Sequence, residues 1–253
     1  MLTQLPNGIV EGQDLFNFVE LDELRGKQQN YLADKELVVG NIGHIPKILQ
    51  DMILSLQTKE GVKWQGKVED AVNKLPSGDI ETILIKIREN TYGPRFYHEG
   101  VCTHCNHVNK NLRLDLDGLK IDYMPVEQML KPKVIKLPKC GQEVELKPPY
   151  LKDLFEIIKI TKNNHNTLFT SLLRVTIKRF GKKSGVTEQD IENIPASDIL
   201  VLQKEVEKMK LEGGIDTDIE INCSNCNKDF TIKLNCFDAS FFDLTRGSTN
   251  TNT

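Results

Sequence analysis

Apolar and polar positions alternate with two periods along this chain, and the two periods succeed each other in the same order twice. Leu5-Pro6-Asn7-Gly8 is followed by FNFVEL, whose period of two predicts a strand, and by DELRGKQQNYLADK, which predicts a helix. In the second half, Leu137-Pro138-Lys139-Cys140-Gly141 leads into EVEL and then the helix-like YLKDLFEIIKITK. LPSGDIETILIKIREN, from Leu75, matches IPASDILVLQKEVEKM, from Ile194. In both, a Pro and an Asp step precede an i, i+3, i+4 apolar pattern, the signature of a helix N-terminus. Ile80, Ile83, Leu84 and Ile87 form one predicted apolar face, and Ile199, Leu200 and Leu202 begin the other. Between them, IPKILQDMILSLQ predicts an amphipathic helix through Ile45, Ile48, Leu49, Met52, Ile53 and Leu56. NTLFTSLLRVTIKRFG predicts another through Leu168, Leu172, Leu173 and Val175, with a closing Gly.

Each long helix runs through a glycine turn (Tyr92-Gly93; Gly213-Gly214) into a Cys-x-x-Cys knuckle. The first is CTHCN followed by an alternating strand, and the second CSNCN followed by another. Two thiolates on a tight turn beside a strand make half a zinc ribbon, and four suit a tetrahedral structural Zn²⁺. Cys102, Cys105, Cys223 and Cys226 are therefore the candidate metal ligands. His104 and His107 are read as exposed knuckle residues, because their counterparts in the repeat, Asn225 and Lys228, do not suit zinc. The spacing does not separate zinc from another thiophilic ion.

The predicted architecture is α+β: a helix-rich, duplicated, two-lobe chain with a β zinc ribbon shared between the lobes. The first repeat covers 1–126 and the second 130–246, each a hairpin, helices and a zinc half-ribbon; the tail 247–253 lacks apolar residues and is expected to be disordered. Half a ribbon cannot close a zinc site alone, whereas two related by a pseudo-twofold can.

Composition narrows the function classes. With 39% hydrophobic and 27% charged residues the chain has the make-up of a globular protein with a real core. A net charge of −3 gives no global attraction for phosphate backbones or anionic membranes, so nucleic acid is not an expected partner. The basic stretch Lys178–Lys183 is read as a solvated helix end. No apolar run approaches a membrane span, and MLTQLPNGIV has neither a basic n-region nor an apolar h-region. The expectation is a reducing cytoplasm, where six cysteines read as metal ligands plus spare thiols. Cys236, in KLNCFD, reads as a small buried residue on a strand, and Cys140 as a turn residue.

No catalytic residue is predicted. There is no Gly-x-Ser-x-Gly, no phosphate-cradling glycine loop and no His-Glu-x-x-His. Asp115 and Asp117 lack the oxygen ligands and closing Glu of a calcium loop; LRLDLDGLKID reads instead as a hairpin with an Asp-Gly turn. His44, His98 and His165 have no motif around them, and Trp64 reads as a packing anchor. Four cysteines would close the coordination shell that a metal-dependent hydrolase leaves open. The alternative reading is a zinc-ribbon accessory protein of transcription or replication that binds nucleic acid. The acidic balance and only 6% aromatic residues weigh against it.

An ordered series of segments resembles the baseplate hub and hub-assembly proteins of T-even-type, contractile-tailed bacteriophages. It comprises the N-terminal LPNG, LPSGDIETILIKIRENTYGPRF with Arg88, Tyr92 and Gly93, then EGVCTHC, NLRLDLDGLKI, VIKLPKCGQEVELKPP, and INCSNC leading to FFDL. It spans about Leu5 to Leu244, with Cys140 inside the LP…G turn as a departure from the pattern. The resemblance implies a non-enzymatic protein that is either a hub subunit or a chaperone-like assembly factor. Its partners would be other baseplate hub and tail proteins, met in the host cytoplasm or in the finished tail, with oligomerisation left open. The metal ligands carry over to the four cysteines named above.

Overall fold

The computed structural model describes residues 1–34, 42–161 and 168–242; the predicted tail at 247–253, His165 and the first residues of the NTLF helix lie outside them. The chain opens with an antiparallel hairpin, β1 (Leu2–Glu11) and β2 (Asp14–Leu21), followed by helix α1 (Gly26–Ala33). Helix α2 (Ile45–Met52) starts on Pro46 and ends at β3 (Ile53–Gln57), which pairs antiparallel with β2. The single helix predicted over Ile45–Gln57 is thus a helix and a strand. Ile45, Ile48, Leu49 and Met52 fit helical spacing, whereas Ile53 and Leu56 face inward from a strand whose backbone bonds are met by the open edge of β2. Short apolar runs fit both periods, and tertiary pairing decides between them.

Helix α3 (Val68–Lys74) and the 16-residue α4 (Ser77–Tyr92) come next. They lead to the hairpin β4 (Arg95–Val101) and β5 (Val108–Asp115), then to β6 (Ile121–Asp122) and the single turn α5 (Val126–Met129). Asp117-Gly118 belongs to a 3₁₀ turn and not to the predicted hairpin. With β5 already paired to β4, β6 is directed to β11 (Gly214–Ile215), where Ile121 faces Ile215.

The second half follows the same order. Hairpin β7 (Lys133–Lys136) and β8 (Glu143–Leu146) precedes α6 (Leu151–Thr161) and α7 (Leu168–Thr176). Helix α7 passes directly into β9 (Ile177–Phe180), which pairs with β8 as β3 pairs with β2. The Gly181 predicted to close the helix turns β9 into β10 (Lys183–Ser184). Helices α8 (Glu188–Glu192) and the 16-residue α9 (Ala196–Leu211) then lead through β11 to the hairpin β12 (Asp218–Asn222) and β13 (Asp229–Lys233). The molecule is α+β, with several small antiparallel sheets.

The two long helices are seated alike at their N-termini. Asp79, three residues after Pro76, accepts the backbone N–H groups of Asn7 (2.8 Å) and Gly8 (2.7 Å). Asp198, three residues after Pro195, accepts those of Lys139 (3.0 Å) and Cys140 (2.8 Å). Each Leu-Pro segment is thus tied by a carboxylate to the start of its own long helix, where the helix dipole favours the negative charge. Asn7 also donates from its side chain to the Gly213 carbonyl at 2.7 Å, joining the first segment to the end of α9. Gly213 has φ +80°, and a Cβ there would lie 2.2 Å from the Asn7 side-chain oxygen, so only glycine fits.

The two carboxylates, both at 0% exposure, differ in the balance between burial and the donors they accept. Desolvation pushes the fully buried Asp79 up to about 6, against the pull of the Asn7 and Gly8 donors. Asp198 is also desolvated, but the Lys139 and Cys140 donors outweigh this and hold it below the usual carboxylate range. A folded-state value above the unfolded one means that protonation favours the fold. The Asp79 contribution is therefore full below about pH 4 and is lost as pH rises through 6, a swing of about 3 kcal/mol. We expect the stability difference between wild type and Asp79→Asn, measured by urea unfolding, to shrink by about that amount between pH 4 and pH 7. A pH-independent difference would contradict the assignment.

Apolar side chains gather in two clusters that do not follow the order of the chain. The larger holds β1–β3, α2 and most of α4, and it also takes Ile215, Phe230, Ile232, Leu234, Phe241 and Phe242 from the C-terminal part. The smaller is built on Leu137, Val144, Leu173, Ile177, Leu202 and Val206. Helix α4 is buried on most sides, with Ile80, Ile83, Leu84, Ile85 and Ile87 all at 0% exposure. Helix α9 buries Leu202, Val206 and Met209, while Leu200, predicted on its apolar face, is 58% exposed. Near its C-terminus α4 carries Arg88, 3% exposed, whose guanidinium donates to the carbonyls of Phe241 (2.8 Å) and Arg95 (3.3 Å). The same group stacks over Phe96 at 4.8 Å and Phe241 at 5.5 Å. It ties the end of the helix to the Phe241-Phe242 segment. Trp64 is the packing anchor the sequence indicates, edge-on to Phe16 at 5.2 Å.

Candidate metal centre

Each Cys-x-x-Cys occupies the turn of a two-stranded hairpin, the first joining β4 to β5 and the second β12 to β13. The two turns share one hydrogen-bond frame. Cys102 N donates to His107 O (2.9 Å) and Asn106 N to Cys102 O (2.9 Å). Cys223 N donates to Lys228 O (3.0 Å) and Asn227 N to Cys223 O (2.9 Å). The Asn after each knuckle has a left-handed backbone, φ 57° at Asn106 and 55° at Asn227. Asn is the non-glycine residue that tolerates this conformation best, which accounts for its recurrence at both sites.

The hairpins meet at Gly100. A Cβ on this residue would fall 2.7 Å from Ile232 Cγ2 and 3.2 Å from the Phe230 ring. Gly100→Val is expected to force the hairpins apart and to lower stability by about 1–3 kcal/mol, read as a shift in the urea midpoint. An unshifted midpoint would mean that the hairpins do not rely on this contact.

This packing brings all four predicted ligand residues together: one sulfur from each of Cys102, Cys105, Cys223 and Cys226, all within 4.8 Å of one another. Cys102 Sγ lies 3.7 Å from Cys226 Sγ, and Cys105 Sγ 3.7 Å from Cys223 Sγ. The first cysteine of each knuckle thus meets the second of the other, so exchanging the halves maps one contact onto its mate. A tetrahedron with zinc–sulfur bonds of about 2.3 Å has sulfur–sulfur edges of about 3.8 Å, which the two 3.7 Å cross-pairs match.

The electrostatics favour a cation. Burial opposes ionisation of Cys223, but the backbone N–H groups of Cys226 and Asn225 and the Asn109 amide outweigh it and bring the thiol to about 6. Cys105 is lowered first by the backbone N–H of His107 and then by the Asn225 amide. For Cys226 the Lys228 N–H pulls down, yet desolvation and the three neighbouring sulfurs push it up to about 12. Four thiols this close cannot all ionise unaided; a divalent ion would supply the missing positive charge.

His104 is exposed, and its ring Nε2 lies 3.0 Å from the Asp229 carbonyl, outside the sulfur cluster. Cys236 is buried as predicted but sits in a turn after β13 and not on a strand; burial pushes its thiol well up. Cys140 stands apart from the cluster in a turn whose frame repeats the knuckles: Leu137 N to Gln142 O (2.9 Å), Gly141 N to Leu137 O (3.0 Å), and Gly141 at φ 69°. Leu137 takes the place of a first cysteine there, and the Asp198 carboxylate accepts the turn's N–H groups. The sequence reading placed Cys140 in a turn but not its likeness to the knuckles, although Cys140-Gly141 before EVEL carries the signal of a second knuckle cysteine and a left-handed residue.

Fold and site define a class: an α+β protein in which two Cys-x-x-Cys hairpins from distant parts of the chain converge on one four-sulfur cluster. The chain belongs to the T4 bacteriophage base plate protein family, whose family model matches residues 44–243. The match takes in both knuckles and both long helices and leaves the N-terminal hairpin outside it. Comparison with curated proteins and with solved structures returns no match. Among the described residues, no helix is long and apolar enough to cross a membrane.

Proposed function

We propose that this protein is a non-enzymatic component of phage tail building, either a subunit of the baseplate hub or a chaperone-like factor in its assembly. The observation that carries the reading is the family match across residues 44–243. Its partners are other baseplate hub and tail proteins, met in the host cytoplasm during assembly and, for a subunit, retained in the tail. Cys102, Cys105, Cys223 and Cys226 hold a structural Zn²⁺ that staples the two hairpins, a role supported by the 3.7 Å cross-pairs.

The chain further reads as a duplication, repeats 1–126 and 130–246. Supporting this are the paired Asp79 and Asp198 seats, the two helix-to-strand passages, and the shared knuckle frame. Such a chain works by presenting surfaces held rigid at their base, and it needs no catalytic group.

The test is a tagged pull-down from infected cells with mass spectrometry of purified virions in parallel. Capture of hub proteins with presence in virions identifies a subunit; capture with absence from virions identifies an assembly factor. Recovery of polymerase or of nucleic acid in place of tail proteins overturns the proposal.

A further inference from the structure

We infer that Asn109 is a positioning residue of the metal centre, reaching from the first hairpin to orient Cys223 on the second. The inference rests on the metal-binding reading above. Asn109 lies on β5 with its side chain 2% exposed, in a position where the strand's other inward residues, Leu112 and Leu114, are apolar. Its counterpart seven residues after the first cysteine of the second knuckle is Phe230, also buried. Packing alone therefore calls for an apolar side chain at this place, and burying an amide is unfavourable unless its polar atoms are met.

They are met entirely by the two knuckles. Asn109 Oδ1 accepts from Ser224 N and Ser224 Oγ, both at 2.9 Å. Asn109 Nδ2 donates to the His107 carbonyl at 3.3 Å and to Cys223 Sγ at 3.6 Å. Both acceptor lone pairs and both N–H groups of one side chain are in use. This one amide fixes the backbone of the second knuckle against that of the first and directs a hydrogen bond at a ligand sulfur. An N–H aimed at a coordinating thiolate offsets part of the excess negative charge of a four-thiolate site and holds the sulfur in place, as outer-sphere partners do at other metal centres. Phe230 offers no such group, so the centre is asymmetric despite its near-twofold sulfur arrangement.

Three variants separate this role from ordinary packing. Asn109→Asp keeps an acceptor for Ser224 but turns an oxygen towards Cys223; Asn109→Leu removes both functions. Each is expected to weaken zinc binding at least tenfold in a chelator competition, and to shift the sulfur-to-metal absorption band of the cobalt-loaded protein. Ser224→Ala, at an exposed residue, loosens the amide without disturbing a buried group. It should move the same band in the same direction by less, and it keeps the test decisive if the Asn109 variants fail to fold. Zinc affinity within twofold of wild type together with an unchanged cobalt band overturns the role, whatever happens to thermal stability. Failure of the wild-type protein itself to bind zinc or cobalt would overturn the metal reading and this inference together.

Discussion

Cys223→Ser is expected to destabilise the protein by about 3 kcal/mol or more and to abolish its response to chelators. Structural zinc in small finger domains contributes an apparent binding energy of about 10–16 kcal/mol, which appears there as folding energy. Loss of the fully buried Cys223, proposed to hold one quarter of the shell, should forfeit a large share of that term. The loss should extend beyond the knuckle, because the two hairpins come from segments more than a hundred residues apart and are themselves only two strands wide. Two-stranded hairpins are marginal alone, so their order depends on what they are fastened to. In thermal unfolding, a strong chelator should lower the wild-type midpoint to near that of Cys223→Ser and leave the variant unmoved. Cys140→Ser is the matched control: its sulfur lies outside the cluster, and the wild-type chelator response should persist.

Arg88→Met is expected to lower stability by about 2–4 kcal/mol and to expose the chain near Phe241 to protease. The guanidinium is nearly out of solvent, and desolvation pulls its pKa below the ordinary arginine value. The gain that holds it there is the planar fork on two carbonyls, Phe241 O and Arg95 O, and its stacking on Phe96 and Phe241. Met keeps the bulk of the stem and leaves the buried Phe241 carbonyl without this donor, at about 1–3 kcal/mol, and loses the bond to Arg95 O and the stacking besides. Arg88→Lys should recover little, since a point charge matches neither the fork nor the stacked plane. Urea unfolding gives the stability change, and limited proteolysis locates the freed segment. Uniform loss of stability with no new cleavage near Phe241 would contradict the lock.

The four-sulfur cluster was far more legible in the sequence than the fold around it. Thiolate spacing is dictated by local turn geometry, so Cys102, Cys105, Cys223 and Cys226 could be read from four positions and the Asn that follows each pair. The clamp from Asp79 to Asn7 and Gly8 could not, although its parts belong to the repeated segments, because a carboxylate 72 residues away leaves no periodic trace. Ile53 and Leu56 continue the stripe of α2 by arithmetic alone; the edge of β2 decides that they form a strand. Asp117-Gly118 failed as a hairpin turn for a like reason, since the partner of β6 arrives from residues 214–215. Leu200 shows the converse: an apolar residue at an apparent core spacing that the fold leaves in solvent. The third knuckle-like turn escaped because Leu137 stands where a cysteine would have announced it.

The most direct test of the central claim, that one metal ion staples two distant hairpins, is native mass spectrometry of the purified full-length chain with site-resolved alkylation of its cysteines. The account predicts one zinc per chain. Cys102, Cys105, Cys223 and Cys226 should be protected together and released together by chelation. A chain that carries no metal, with Cys105 and Cys226 alkylated at the same rate before and after chelator, would contradict it.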